Sequence, residues 1–292
     1  MCSFRMPVCR CDSPVHRFWP PPDFTHTPDG QKRVKQNRLM FNIATVQKPA
    51  GQALRQDGLS LLLPTDFATS LQLPAPQWAH EWSELTGSWD RLPLDAHLKD
   101  GGHYRRRRHA CFIQDLPGGT LTQTPHRAHW QPTDYNALHG GFERWFDPIE
   151  AAVAQAPAWT DLLGSLGQLF GQVRPVPRWY IEAHQFRIDT TGGVGRPTPE
   201  GAHRDGVDFV VVLMVARCGV KGGETRVFYV HGPHGVRFVM ERPLMALLLD
   251  EARVIHETTP IFPADDDARN PEGSGYRDTL VLTYRAEGFQ AP

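Results

Sequence analysis

The chain has 292 residues, of which 22% are charged and 40% hydrophobic, and its formal net charge is −1 at pH 7. This length suits one large globular domain or two small ones, and the balanced charge gives no reason to expect a nucleic acid as partner. No apolar run approaches the roughly 18 residues of a transmembrane helix, so we expect no membrane association.

The first 39 residues differ from the rest of the chain. They are rich in proline and charge, show neither helical nor strand periodicity, and lack the apolar core of a signal peptide. We therefore predict a disordered tail over residues 1–39 and a single domain over residues 40–292. Met40 competes with Met1 as the natural start. The five cysteines are odd in number and scattered, which favours a reducing, cytoplasmic setting.

The domain begins with helices and continues as strands. Apolar spacing predicts helices over residues 43–56, 77–85 and 148–169, the last interrupted near Pro157, and short strands over 59–63 and 109–115. After Pro177, glycine-rich turns separate seven predicted strands: 179–188, 207–216, 225–230, 236–240, 245–249, 252–256 and 277–284. Helices followed by strands predict an α+β fold, in which a β-sandwich or jelly roll is flanked by N-terminal helices.

Polar residues stand at the entrance of the most apolar strand. His203 and Asp205 precede the run from Val207, and residues two apart on a strand point to the same side. His256 ends another predicted strand. Two histidines and one carboxylate form the facial triad by which non-haem enzymes hold Fe(II). A chain with 14 histidines also contains His-x-Asp by chance, and taken alone the pair is better explained by a histidine and an aspartate that finish a turn. The residues that accompany it change this balance.

The last predicted strand opens with a second polar pair. Arg277 and Thr279 share one side of that strand, and a guanidinium beside a hydroxyl can hold a carboxylate by charge-assisted hydrogen bonds. The alternative is a surface arginine paired with one of the aspartates at positions 265–267. Arg285 lies on the same side and is the rival for a carboxylate, although we prefer Arg277.

These residues and their order carry a resemblance. His203-Arg204-Asp205-Gly206, GGET at 222–225, His256 and RDTLVLTYR at 277–285 resemble the bacterial 2-oxoglutarate/Fe(II) dioxygenases that include the free L-isoleucine hydroxylases. The similarity extends upstream through YRRRRHACF (104–112), TDYNALHGGFERWFDPI (133–149) and EAHQFRI (182–188). In many relatives the arginine follows the second histidine by about ten residues, whereas here a polar loop lengthens the gap to 21 (277 − 256).

The resemblance implies a double-stranded β-helix core, that is, a jelly-roll or cupin-like core. It also implies iron at His203, Asp205 and His256, with Arg277 and Thr279 on the distal carboxylate of 2-oxoglutarate. The expected activity is the hydroxylation of a small substrate, a free L-amino acid, with O2 consumed and succinate and CO2 released. Ascorbate is the expected reductant in vitro. The amino acid, the carbon attacked and the oligomeric state do not follow from the sequence.

Further residues are candidates for the substrate pocket. Arg107, within the RRRR run, is a candidate for the substrate carboxylate, with solvated charge as the alternative. Gln185 and Arg187 share one side of a predicted strand and line the pocket if that side faces inward; a buried ion pair is the alternative. Tyr135 and Asn136 precede a Gly-Gly turn and form either a lid or a plain polar loop.

Two other classes of function stay open at this stage. A cupin-like metal hydrolase or isomerase can use the same His/Asp/His set without 2-oxoglutarate. A non-catalytic jelly-roll binding module would use the same polar residues only to finish its turns.

Overall fold

The computed structural model describes residues 48–135, 138, 140–232, 234–264 and 275–291. The predicted tail and Asn136 lie outside these residues, and the domain boundary at Met40 stays a prediction. Among the described residues, no helix combines the length and apolarity needed to cross a bilayer.

The described elements are helices in the first part of the chain and strands in the second. The helices are α1 (Ala50–Asp57), α2 (Phe67–Ser70), α3 (Gln77–Leu85), a 3-10 helix (Thr86–Arg91), α4 (Ala151–Ala154) and α5 (Pro157–Val173). The strands are β1 (Leu59–Leu62), β2 (Arg105–Asp115), β3 (Leu121–Gln123), β4 (Arg178–Asp189), β5 (Phe209–Cys218), β6 (Val220–Gly222), β7 (Glu224–Tyr229), β8 (Gly235–Val239), β9 (Ala246–Asp250), β10 (Val254–Thr258), β11 (Ile261–Pro263) and β12 (Tyr276–Arg285). All seven strands predicted after Pro177 are confirmed, each within two residues of its predicted bounds.

The strands pair into a mostly antiparallel arrangement. A large sheet has the order β1-β9-β5-β12-β4-β2-β3, a three-stranded sheet has the order β10-β7-β8, and β11 pairs with β6. Consecutive residues of β5 therefore face two different layers. Phe209, Val211 and Leu213 pack in the core beneath the helices, whereas Val210 and Met214 pack with Val227 of the small sheet. This double burial explains why β5 is apolar at almost every position.

The core between the helices and the large sheet is built on tryptophan. Trp82 of α3 lies 5.4 Å from Trp78 and 6.3 Å from Trp159 of α5, measured between ring centroids. Trp179 at the start of β4 is fully buried and donates its indole N–H to the Gly167 carbonyl at 2.9 Å. The helices thus fix the large sheet from one side and leave its other side to the small sheet and a cavity.

Candidate active site

The three candidate metal ligands meet at the edge of the small sheet. The backbones of His203 and His256 exchange two hydrogen bonds of 3.0 Å, which places the two imidazoles side by side. Asp205 follows two residues after His203, with Oδ1 3.7 Å from His203 Nε2 and Oδ2 3.5 Å from His256 Nε2. The ligand atoms of the three residues all lie within 4.8 Å of one another.

The atoms that face this point are free to bind a cation. His203 Nδ1 lies 2.9 Å from the Gly201 carbonyl, which can only accept, so Nδ1 carries a proton and Nε2 is the nitrogen that faces Asp205. His256 Nε2 is buried and makes no hydrogen bond among the described residues. Gln131 donates to Asp205 Oδ1 at 3.0 Å, which leaves the second carboxylate oxygen for a metal. The donor set, two imidazoles and one carboxylate, fits Fe(II).

The electrostatics of the cluster also favour a cation. Burial opposes the charged form of His203, but the neighbouring Asp205 carboxylate outweighs burial and raises the pKa of His203 to about 10. The pKa of His256 is raised in the same way, against burial, by Asp205 and Glu251. Burial works against the Asp205 carboxylate, yet the two imidazoles hold its pKa well below its usual value. A site that attracts protons so strongly also attracts a metal ion.

The loop that carries Asp205 is held by a buried carboxylate. Glu251, 2% exposed, accepts hydrogen bonds of 2.9 to 3.2 Å from the backbone N–H groups of Asp205, Gly206 and Val207. Gly206 has φ +77°, and a Cβ there would lie 2.6 Å from the Tyr135 ring. The turn after Asp205 therefore needs a residue without a side chain.

One cavity runs from the metal-ligand cluster to the start of β12. Arg277 and Thr279 line it and are 3% and 2% exposed. Arg277 Nε and Nη2 are buried without a hydrogen-bond partner among the described residues. Burial, assisted by the nearby Arg217, lowers the pKa of Arg277 to about 10. An unpaired buried guanidinium requires an anion, and the cavity gives one access.

The rival arginine has a different environment. Arg285 also lines the cavity, at the opposite end of β12, and its Nη1 donates to the Gly288 carbonyl at 2.9 Å. Its eight-residue separation from Arg277 amounts to about 26 Å along a strand.

The cavity wall formed by β2 and β4 is rich in buried charge. Arg105, Arg107 and Arg144 line it together with Glu182 and His184, and Asp95 lies 2.7 Å from Arg105 Nε. The guanidinium of Arg107 stacks on Phe146, with its Cζ 3.7 Å from the ring centroid. Arg107 is thus a buried cavity residue rather than solvated charge.

The expectation that Gln185 and Arg187 line the pocket is corrected by the geometry of β4. Gln185 donates to Ser88 Oγ at 2.8 Å, and Arg187 binds both carboxylate oxygens of Asp278, at 2.8 and 2.7 Å. Both side chains point away from the cavity, towards the helical side. The intervening His184 lines the cavity instead. The alternative stated for this pair, a buried ion pair, describes Arg187.

Tyr135 lies outside the main cavity. Its side chain is exposed, contacts the Gly206 turn and lines a separate pocket with Arg204 and Glu287.

Several residues of the site were not predicted from the sequence, among them Gln131, His129, Glu182 and Glu251. Gln131 and His129 lie in an irregular segment, where periodicity gives no signal. Glu182 had a detectable signal, because a carboxylate two residues before His184 repeats the His203–Asp205 spacing.

Comparison with known proteins agrees with this geometry. The 2OG-Fe dioxygenase family model matches residues 86–283. The crystal structure of a bsmA homolog from Methylobium petroleophilum PM1 is 55% identical, with a TM-score of 0.76 over 83% of this chain and 94% of that one. No curated protein sequence matches the chain significantly.

Two more distant structures share the fold. IDO from Bacillus thuringiensis is 15% identical, with a TM-score of 0.63 over 82% of this chain and 94% of that one. The Fe(II)/(alpha)ketoglutarate-dependent dioxygenase TqaL is 19% identical, with a TM-score of 0.61 over 80% and 85% of the two chains. The matched segment contains the candidate metal ligands, Arg277 and Thr279, and it covers most of the domain. The chain belongs to the 2OG-Fe dioxygenase family, whose reaction uses Fe(II), 2-oxoglutarate and O2.

Proposed function

We propose that the protein hydroxylates a free L-amino acid, with iron held by His203, Asp205 and His256. Arg277 and Thr279 hold the distal carboxylate of 2-oxoglutarate. The observation that carries the proposal is Arg277, a buried guanidinium with unpaired nitrogens, in the same cavity as a His/Asp/His cluster. The double-stranded β-helix belongs to this proposal, and the large and small sheets that enclose the cavity support it.

The residues of the chain perform distinct tasks in this reaction. Bound iron would supply the O2 activation that converts 2-oxoglutarate to succinate and CO2 and inserts the second oxygen atom into a C–H bond of the substrate. Arg277 orients the cosubstrate by its distal end, and Gln131 fixes one oxygen of Asp205 so that the other remains for the metal. The walls of the cavity exclude water and aim one substrate C–H bond at the metal.

The charges of the cavity support a small carboxylate substrate. Arg105, Arg107 and Arg144 approach the same wall, and Asp95 lies close to only two of them, Arg105 and Arg107. These three guanidinium groups face two buried carboxylates, Asp95 and Glu182, and the remaining positive charge suits the carboxylate of an amino acid. The free thiols Cys111 and Cys218 are compatible with the proposed cytoplasmic setting.

The test is a succinate-release screen of free L-amino acids with Fe(II), ascorbate and 2-oxoglutarate. We expect one amino acid, or a few of similar shape, to raise succinate release above the uncoupled background and to gain one hydroxyl group by mass spectrometry. Succinate release that no amino acid stimulates would contradict the assignment of the substrate class. Turnover without 2-oxoglutarate would contradict the reaction itself.

A further inference from the structure

A second cluster of titratable groups lies in the same cavity, away from the candidate metal ligands. Glu182 Oε2 lies 2.5 Å from His129 Nδ1, 3.5 Å from His109 Nε2 and 3.5 Å from His184 Nε2. All four residues are buried, and their ligand-type atoms lie within 4.8 Å of one another. His129, Glu182 and His184 line the cavity.

The hydrogen bonds of this cluster determine where its protons lie. Arg107 can only donate, so its Nη2, 2.7 Å from His184 Nδ1, makes that nitrogen an acceptor and leaves the proton of His184 on Nε2, facing Glu182. Burial opposes ionisation of Glu182, but the surrounding imidazoles hold its pKa well below the usual value. An ionised carboxylate accepts from His129 Nδ1, and His129 Nε2 is therefore a bare acceptor.

The same assignment argues against a second metal at this position. A cation would need a lone pair on His184 Nε2, which carries the proton. The guanidinium of Arg107 donates to the other nitrogen of that ring, so His184 has no free lone pair for a metal. The cluster is better described as a carboxylate that orients imidazoles by accepting their protons.

His129 lies within the reach of a small substrate from the candidate iron site. It is two residues from Gln131, which donates to the ligand carboxylate of Asp205. Two residues of extended chain span about 7 Å. The same cavity also presents Arg105, Arg107 and Arg144, which can bind a carboxylate but cannot accept a proton. A substrate that bears both a carboxylate and an ammonium group needs an acceptor as well.

We propose that His129 Nε2 accepts a hydrogen bond from the ammonium group of the substrate, and that Glu182 is the positioning residue that fixes the tautomer of His129. The proposal rests on the proposed amino acid hydroxylase function and names the residue that recognises the amine. Burial, assisted by Arg144 and Arg107, lowers the pKa of His129 to about 4 despite the carboxylate beside it, so the ring stays neutral near pH 7 and offers a lone pair. The carboxylate of the same substrate, bound by the arginines, offsets their charge beside the ammonium.

The experiment compares an amino acid that the enzyme hydroxylates with its deamino analogue, in which hydrogen replaces the ammonium group. The ratio of their kcat/KM values reports the contribution of the amine alone. We expect His129→Phe to reduce this ratio about tenfold or more, because a hydrogen bond to a charged group is lost. The KM for 2-oxoglutarate should not change.

Two further variants keep the result interpretable. Glu182→Gln preserves the shape of the side chain and should lower the same ratio, mainly through KM for the amino acid; it replaces His129→Phe if that variant does not fold. His126→Phe is the matched control, since His126 precedes the same segment and bonds the Phe146 carbonyl outside the cavity. That variant should keep the ratio of the unmodified enzyme.

Three outcomes would overturn the proposal. The first is an unchanged ratio in both His129→Phe and Glu182→Gln. The second is loss of amine preference in Glu200→Gln alone, because Glu200 lines the same cavity and its Oε2 is buried without a hydrogen-bond partner among the described residues. The third is a second equivalent of bound metal that Glu182→Gln removes.

An enzyme that turns over no amine-bearing compound would contradict the proposed function as well, whereas amino acid turnover with an unchanged ratio would contradict only the role of His129.

Discussion

At the scale of single residues, Glu251 shows how a buried carboxylate can support a metal site without being one of its proposed ligands. It accepts from three successive backbone N–H groups around Asp205, and its Oε1 lies 3.5 Å from His256 Nε2. Residues that hydrogen-bond to metal ligands in this way orient them, and replacing such a residue lowers metal affinity about tenfold to a hundredfold.

Glu251→Gln should weaken iron binding about tenfold while the protein remains folded. A glutamine amide directs an N–H group towards backbone N–H donors, so part of the support for the Asp205 loop is lost. Anaerobic titration with Fe(II) against a chelator measures the dissociation constant. His256→Ala is the positive control and should lose iron and turnover together, and exposed Glu287→Gln is the negative control. Unaltered iron affinity in Glu251→Gln would show that the loop holds its shape without the carboxylate.

Arg277→Lys should raise the KM for 2-oxoglutarate about tenfold or more, because a lysine cannot reproduce a bidentate contact with a carboxylate. Iron affinity should change little, since the arginine is not a proposed ligand. Arg285→Lys is the matched control on the same strand and should have a much smaller effect. The measurement is a 2-oxoglutarate titration of succinate release, and the reverse ranking would assign the carboxylate to Arg285.

At the scale of elements, β4 illustrates what the sequence could and could not predict. Its position was predicted correctly because glycine and proline mark the turns and β-branched or aromatic residues fill the strand. Its orientation was wrong for Gln185 and Arg187, because both sides of β4 are buried and both carry polar residues. When polarity does not alternate between the two sides, the period of two cannot say which side faces the cavity. The three-residue strands β3, β6 and β11 were missed because they are too short for any period.

Helix α5 approaches the sheet so closely that one of its glycines cannot be replaced without movement. A Cβ on Gly167 would lie 1.7 Å from Gln114 Oε1 and 3.2 Å from Trp179 Cδ1, whereas one on Gly164 would meet only Gln114 Nε2, at 4.0 Å. Gly167→Ala should therefore lower the free energy of unfolding, since overpacking costs about 1–3 kcal/mol.

Gly164→Ala is the matched control, because it gains the same helix propensity, about 1 kcal/mol, without the clash. Its thermal midpoint should stay the same or rise while that of Gly167→Ala falls. Equal midpoints would mean that the Gln114 side chain can move away without cost.

At the scale of the whole molecule, the candidate metal site was predictable and the substrate side was not. The metal ligands follow a local spacing, His-x-Asp, and one histidine that ends a strand. The substrate side combines β2, β4 and the irregular segment around His129, and only the three-dimensional pairing of these parts brings their charges together.

A protein shortened to begin at Met40 should fold and turn over like the full chain. The sequence of the first 39 residues offers no periodic apolar face that the domain could bury. Thermal melting and succinate release of the two proteins side by side provide the measurement. A sharp drop in either property would show that the segment contributes to the domain.

The stability of the protein should fall between about pH 6.5 and pH 4 in part because His129 is buried in its neutral form. Its folded pKa, lowered to about 4 by burial, lies below the unfolded value of about 6.5, so the unfolded chain binds more protons in this range. Each imidazole that is buried in its neutral form contributes at most about 1.4 kcal/mol per pH unit to the slope of the free energy of unfolding against pH.

Urea titrations across this range measure the slope. His129→Asn should flatten it, whereas His126→Asn, outside the cluster, should not. A slope that is the same in all three proteins would mean that His129 takes up a proton in the folded state.

The two faces of β4 have different roles, because one lines the cavity and the other packs in the core. The substrate range of such an enzyme can therefore change independently of its core. Phe186 and Ile188 look into the cavity, while Ile181 and Ala183 belong to the core beneath the helices. Substitutions on the cavity face leave the tryptophan-rich layer untouched. Laboratory evolution that randomises Phe186 and Val212 should therefore find new substrate ranges with little loss of stability, whereas Ile188, which packs with Tyr104 and Ile261 in a small core cluster, should be kept.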